Sequence, residues 1–217
     1  MRKRIAIPTA AAGALAMITA AVAPANAAGP HLVTAPPTLT LTIVSVNGSG
    51  CPLGTAAVAP SPLKDAFTIT YSNYTAQAGG NSKPPDARKN CQINLRVNAP
   101  GGFTYAISST DYRGYAALQP GAEAIQNSSY YIAGLPTTKE VPHRLNGAYK
   151  KNWQFTDTVS APLMVWKPCG EERNFNINTE LRVDAGEQNP TKVSLITVDS
   201  IDSEIRTTYR FAWKTCP

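Results

Sequence analysis

Arg88-Lys89-Asn90-Cys91-Gln92-Ile93-Asn94-Leu95-Arg96-Val97 leaves a charged loop, passes through a cysteine and settles into strict alternation. Cys91, Ile93, Leu95 and Val97 fall on one side, and Gln92, Asn94 and Arg96 on the other. Side chains along a β-strand point to opposite faces in turn, so this stretch reads as a half-buried strand anchored at its start by sulfur. The same pattern recurs on both sides of it. Phe175, Ile177, Thr179, Leu181 and Val183 alternate with Asn174, Asn176, Asn178, Glu180 and Arg182. Phe67, Ile69 and Tyr71 alternate with threonines, and Tyr209, Phe211 and Trp213 share one face near the C-terminal end.

Turn residues punctuate these runs: Asn47-Gly48-Ser49-Gly50, Pro60-Ser61-Pro62, Gly79-Gly80-Asn81, Pro100-Gly101-Gly102 and Gly186 to Pro190. Gly114, between Tyr112 and Tyr115, interrupts a strand pattern, which marks a bulge or a close backbone approach. Gly134 to Lys151 is turn-rich, and His143 within it reads as an exposed loop histidine. No segment has the spacing of an amphipathic helix. About ten short strands with Gly/Pro turns predict an all-β fold, an antiparallel β-sandwich spanning residues 38–217 as one domain.

The N-terminus reads as a secretory signal. Met1-Arg2-Lys3-Arg4 is a basic cap, Ile5 to Val22 is apolar and Ala-rich, and Ala25 and Ala27 satisfy the small-x-small cleavage rule. Cleavage after Ala27 defines residues 1–27 as the leader, bacterial in style. Residues 28–37, rich in Ala, Gly and Pro, are expected to form a flexible tail that includes His31. No later run is long enough to cross a membrane. Three of the 20 basic residues, Arg2, Lys3 and Arg4, lie in the leader, leaving 17 against 14 acidic residues. Such a weak and scattered basic excess excludes a nucleic-acid partner. The expected product is secreted, extracellular and monomeric.

Four cysteines on an exported chain predict two disulfides. Of three possible pairings, Cys51–Cys91 with Cys169–Cys216 is favoured because neither loop crosses the other half of the chain, and the other two stay open. Each would close about 40 to 50 residues, worth on the order of 4 kcal/mol in the chain-entropy account. A metal site has no C-x-x-C and no second histidine outside the tail to support it, so none is expected, and neither is a cofactor.

With these residues laid out, a family resemblance emerges. Gly50-Cys51-Pro52, Arg88 to Gln92, Asp111-Tyr112-Arg113-Gly114-Tyr115-Ala116, Trp166-Lys167-Pro168-Cys169-Gly170 and Asn176-Ile177-Asn178-Thr179 occur in this order. The pattern resembles the secreted domain-of-unknown-function family 4360 of bacteria and fungi, over about Leu41 to Cys216. The resemblance implies a secreted, disulfide-containing all-β domain and brings no catalytic residues with it.

Catalytic chemistry is thinly represented. A Ser-His-Asp set needs a histidine between nucleophile and carboxylate, and His143 is the sole candidate, with no G-x-S-x-G elbow. A glycosidase needs two carboxylates facing one bond, for which Asp111, Asp157, Glu180, Asp199 and Asp202 are candidates. Asp199, Asp202 and the Asn174/Asn176/Asn178 ladder could offer oxygen ligands to calcium, although turns and the polar face of a sheet account for them. Tyr112, Tyr115, Tyr130 and Tyr131 are candidate ligand contacts, and adjacent Tyr130 and Tyr131 cannot both face inward on a strand. The leading expectation is a non-enzymatic binding or structural protein whose partner is an extracellular polymer or protein. The alternatives are a carboxylate-dependent glycan hydrolase and a protease inhibitor using stapled loops such as Gly79 to Asn90.

Overall fold

The computed structural model describes residues 32–138, 140–198 and 205–217. The leader, His31, Asp199 and Asp202 lie outside these residues. Two antiparallel sheets carry the fold. The smaller contains, in spatial order, β1 (Thr40–Asn47), β5 (Arg88–Asn98), β10 (Phe175–Asp184), β7 (Glu123–Ile132) and β8 (His143–Asn146). The larger runs β2 (Ala56–Pro60), β3 (Ala66–Tyr71), β12 (Thr207–Thr215), β6 (Phe103–Leu118), β11 (Ser194–Thr197) and β4 (Thr75–Ala78). A further strand, β9 (Tyr149–Thr158), pairs with the other side of β6.

Alternation decides which faces meet. Cys91, Ile93, Leu95 and Val97 of β5 and Phe175, Ile177, Leu181 and Val183 of β10 are all buried. Phe67, Ile69, Tyr209 and Trp213 of the larger sheet face them. Phe67 bridges the layers, stacked on Tyr209 at 5.0 Å and edge-on to Phe175 at 6.0 Å. Such aromatic pairs add about 0.5–1.5 kcal/mol beyond the area they bury.

Two bulges adjust the pattern. Between β6 and β12 the register passes from Arg210↔Ser109 to Phe211↔Ile107, leaving Ser108 as the extra residue. The insertion lets Tyr105 and Tyr112, seven positions apart, both face the core. In β1 the extra residue is Val44, which is exposed while Val46 is buried. An edge strand broken in this way is a poor template for a second chain.

Several expectations need correction. There are twelve strands among the described residues rather than about ten, because β4 and β8 were not legible. Residues 103–107 and 111–116 belong to one strand, β6. Leu163 to Trp166 is not a strand: a 3₁₀ turn at Ala161–Leu163 opens an irregular strap toward β10. Val33, in the expected tail, donates its backbone N–H to Trp213 O at 3.0 Å. His143 sits in β8, not in an exposed loop. Among the described residues no helix is long and apolar enough to cross a membrane.

The favoured disulfides are present, with Cα–Cα separations of 5.4 Å for Cys51–Cys91 and 5.8 Å for Cys169–Cys216. They differ in access. Cys51 and Cys91 are buried, whereas Cys169 is exposed at the strap and Cys216 is half-buried. Thiol exchange requires a thiolate to reach sulfur, so Cys169–Cys216 should open at lower reductant concentration. Differential alkylation followed by peptide mapping reads the order directly, and earlier labelling of Cys51 and Cys91 would contradict it.

Gly114 answers to a close approach. A Cβ there would lie 2.2 Å from Trp153 Cζ2 and 2.3 Å from the Thr197 carbonyl oxygen. Overpacking of this kind costs about 1–3 kcal/mol. Gly114→Ala is expected to lower the urea midpoint accordingly, and an unshifted midpoint would show that the site has room.

Candidate functional site

The outward face of the smaller sheet is dense in side-chain amides. Gln92 and Asn94 of β5 lie opposite Asn178 and Asn176 of β10, and Asn176 lies opposite Tyr131 of β7. Asn94 Nδ2 donates to Asn176 Oδ1 at 2.6 Å, and Asn174 Nδ2 donates to Asn94 Oδ1 at 2.7 Å. Asn47 and Asn90 continue the polar face toward the Cys51–Cys91 staple, where Ser49 Oγ donates to Asn90 Oδ1 at 3.0 Å. The asparagines thus bond to one another across strands rather than converging on a point. Among the described residues no group of three or more His, Cys, Asp or Glu is placed to hold a metal ion.

The four candidate tyrosines do not share a platform. Tyr112 is buried and Tyr130 turns inward, 5.4 Å from the Phe175 ring. Burial and the Asp157 charge push the Tyr130 phenol up to about 12. Burial raises Tyr112 as well, with a hydrogen bond to Ser128 opposing the rise. Tyr131 faces outward beside Asn176. Tyr115, paired with Asn152, is half-buried on the outward side of the other sheet. Inward burial removes Tyr112 as a surface contact, and the sandwich separates Tyr115 from Tyr131.

His143 closes the open edge between the sheets. Its Nε2 lies 3.0 Å from Asp157 Oδ1 of β9, and its Nδ1 lies 2.8 Å from Gln126 Oε1 of β7. Its ring stacks on Phe155 at 4.4 Å. A general base keeps one nitrogen on a carboxylate and turns the other to a nucleophile. Here Gln126 occupies the second nitrogen, so the arrangement ties the sheets together.

The carboxylate pair fails on register. Asp111 lies opposite Thr156, and its neighbour Asp157 lies opposite Thr110, so alternation sends the two acids to opposite faces of the larger sheet. Asp111 is also spoken for, accepting from Thr156 Oγ1 at 2.7 Å and from Arg210 Nη1. Burial opposes its charge, but the hydrogen bonds from Thr156 and Arg210 outweigh it and hold the carboxyl below the usual aspartate range. Glu180 is paired with Arg88 at 2.5 Å.

Beside the amide face, a groove of about 670 Å³ opens between the Pro100-Gly101-Gly102 turn and the strap at Cys169 to Asn174. Arg96 and Lys167 line it, with Glu171, Glu172 and Arg173. Lys167 Nζ donates to the carbonyls of Pro168 and Glu171 at 3.0 and 2.6 Å. Arg173 is bonded to the Glu171 carboxylate and to Ala133 O. Sequence reasoning passed over Arg96 and Glu172, because nothing local shows that β5 and the strap before β10 share a rim.

A family model described as "Domain of unknown function (DUF4360)" matches residues 37–216. The chain belongs to this family. A relative from Arthroderma benhamiae, described as an uncharacterized secreted protein, is 33% identical over 173 residues, covering 80% of this chain and 70% of its own. That relative's secretion and the two disulfides, which persist in oxidising compartments, place this DUF4360 protein among secreted proteins. Among solved structures, the enzymatically active domain of tailspike protein 4 from bacteriophage CBA120 aligns over 82% of this chain and 19% of that chain. At 10% identity and a TM-score of 0.24 it carries no argument about this DUF4360 chain.

Since the Asp111 carboxyl is held low in the native state, its stabilising contribution is complete above the unfolded aspartate value of about 3.9 and is lost as pH falls through the native value. Charge-assisted bonds of this type are worth about 1.5–3 kcal/mol. Asp111→Asn should destabilise the protein by about that amount at neutral pH, with the gap narrowing in acid below about pH 4. Urea titrations at both pH values test this, and a gap that widened in acid would exclude it.

Proposed function

We propose that this protein is a non-enzymatic extracellular binding protein that holds a neutral, hydroxyl-rich polymer against the amide face of the smaller sheet. One observation carries the reading: the row Asn174–Asn94–Asn176, with Gln92, Asn178 and outward Tyr131, forms a flat field of paired donors and acceptors with little charge. A side-chain amide has two N–H donors and two oxygen lone pairs, so after the bonds along the row Asn94 keeps one donor and one acceptor site, and Asn176 keeps both donors, to meet adjacent sugar hydroxyls. The amides are already ordered by bonds to their neighbours, which reduces the entropy lost on binding. Tyr131 adds an aromatic edge suited to a sugar ring.

The hydrolase reading weakens with Asp111 and Asp157 on opposite faces and with both His143 nitrogens engaged. The inhibitor reading weakens too, since Gly79 to Asn90 contains a 3₁₀ turn at Pro84–Ala87 and feeds directly into β5 rather than forming a long extended loop. Retention on insoluble polysaccharides tests the proposal, using chitin, cellulose, β-glucan and bacterial wall material. Wild type should be retained on at least one, and an Asn94→Ala/Asn176→Ala variant should bind it roughly tenfold more weakly. Binding to an uncharged polymer should change little between about 0.05 and 0.5 M salt. Failure of the protein to adhere to any of these polymers would end the proposal.

A further inference from the structure

Charge is distributed unevenly in the groove beside the amide face. Lys167, Arg173 and Glu171 spend their charged groups on one another and on backbone carbonyls. Arg96 and Glu172 also line the groove, and among the described residues neither side chain makes a direct hydrogen bond or salt bridge, Glu172 acting only through space on the Lys167 charge. A purely anionic ligand would satisfy Arg96 and oppose Glu172; a purely cationic one would do the reverse. A ligand carrying both charges suits both.

The groove is continuous with the amide row. Asn174 lines it, and Asn94 and Asn174 line the adjoining hollow together with Glu172 and Arg173. Asn174 is bonded to Asn94, and Arg96 lies on the same face of β5 two residues further along. A polymer lying across Asn94 and Asn176 therefore passes the mouth of the groove. A substituent branching from it there would need to be short and to bear both an amine and a carboxylate.

Resting on the polymer reading of the amide face, we propose that the ligand is a peptide-substituted glycan. The amides hold the glycan strand, and the groove takes its short peptide. Arg96 binds a peptide carboxylate, for which a guanidinium fork is geometrically suited, and Glu172 binds a peptide ammonium. Two linked contacts of this kind reinforce each other through effective concentration, so losing one weakens the whole without abolishing it.

The test uses the secreted protein with purified bacterial peptidoglycan, and with the same material after an amidase has removed its peptides. Intact material should bind about tenfold more tightly than stripped material. Arg96→Ala and Glu172→Ala should each reduce that difference, and the double variant should abolish it. The difference should also shrink at high salt, because the groove contacts are ionic and partly exposed. Equal binding to intact and stripped material would overturn the peptide assignment. If the Asn94→Ala/Asn176→Ala variant still lost affinity for stripped strands in that case, the polymer reading would survive by itself. Stronger binding by Glu172→Ala to a peptide-free acidic glycan than to intact peptidoglycan would instead make the groove a simple anion site, and the proposal would fail.

Discussion

The Cys51–Cys91 bond meets the hydrophobic core at the one strand whose register matters most. β5 pairs with β1 on one side and β10 on the other, and its first inward residue is the buried Cys91. Slippage by one residue would carry Ile93, Leu95 and Val97 to solvent and bring Gln92, Asn94 and Arg96 inside. Desolvating two amides and a guanidinium without partners costs several kcal/mol, a large part of a typical domain stability of about 5–15 kcal/mol. The staple and the core therefore exclude the same error. The outward row of amides is the other side of that constraint.

The edges of the sandwich are handled by different means. On one side the β8–β9 opening is closed by a polar contact, with His143 held between Gln126 and Asp157 and stacked on Phe155. On the other, β1 is blunted by its bulge at Val44. The strap after β9 is secured by Lys167 N–H to Tyr105 O at 2.9 Å and by Cys169–Cys216. Lys214 Nζ lies 3.7 Å from the Trp166 ring centroid, adding a cation–π contact where the strap meets β12. Between the layers, Tyr74 and Thr179 hydroxyls lie 3.0 Å apart, a polar link across the core.

Faces and ends carry different chemistry as a result. On the outward face of the larger sheet Asp111 is paired with Arg210. The smaller sheet presents neutral amides, with ionic groups at its margins: Arg88 with Glu180 at one end, Arg96 and Glu172 at the other. Charges already paired at a solvated surface contribute little to recognition. The proposed site draws instead on Arg96 and Glu172 in the groove and on the ordered amides beside it.

Composition and period-two alternation were sufficient to establish the all-β class, the inward faces of β5 and β10 and the outward turn of one tyrosine from the Tyr130-Tyr131 pair. They also revealed the tight place at Gly114, because strand alternation and backbone crowding are local properties. Cysteine order favoured the disulfide pairing but left the alternatives open until the Cα positions were known. Tertiary structure alone decided that β5 and β10 are neighbours in the register that joins Asn94 to Asn176. It alone turned Tyr112 inward through the extra residue at Ser108, drew His143 out of an apparent loop and set Asp111 and Asp157 back to back. The physical reason is that strand pairing is non-local: alternation says which side chains share a face, whereas only the packing of distant segments says which faces and which strands meet.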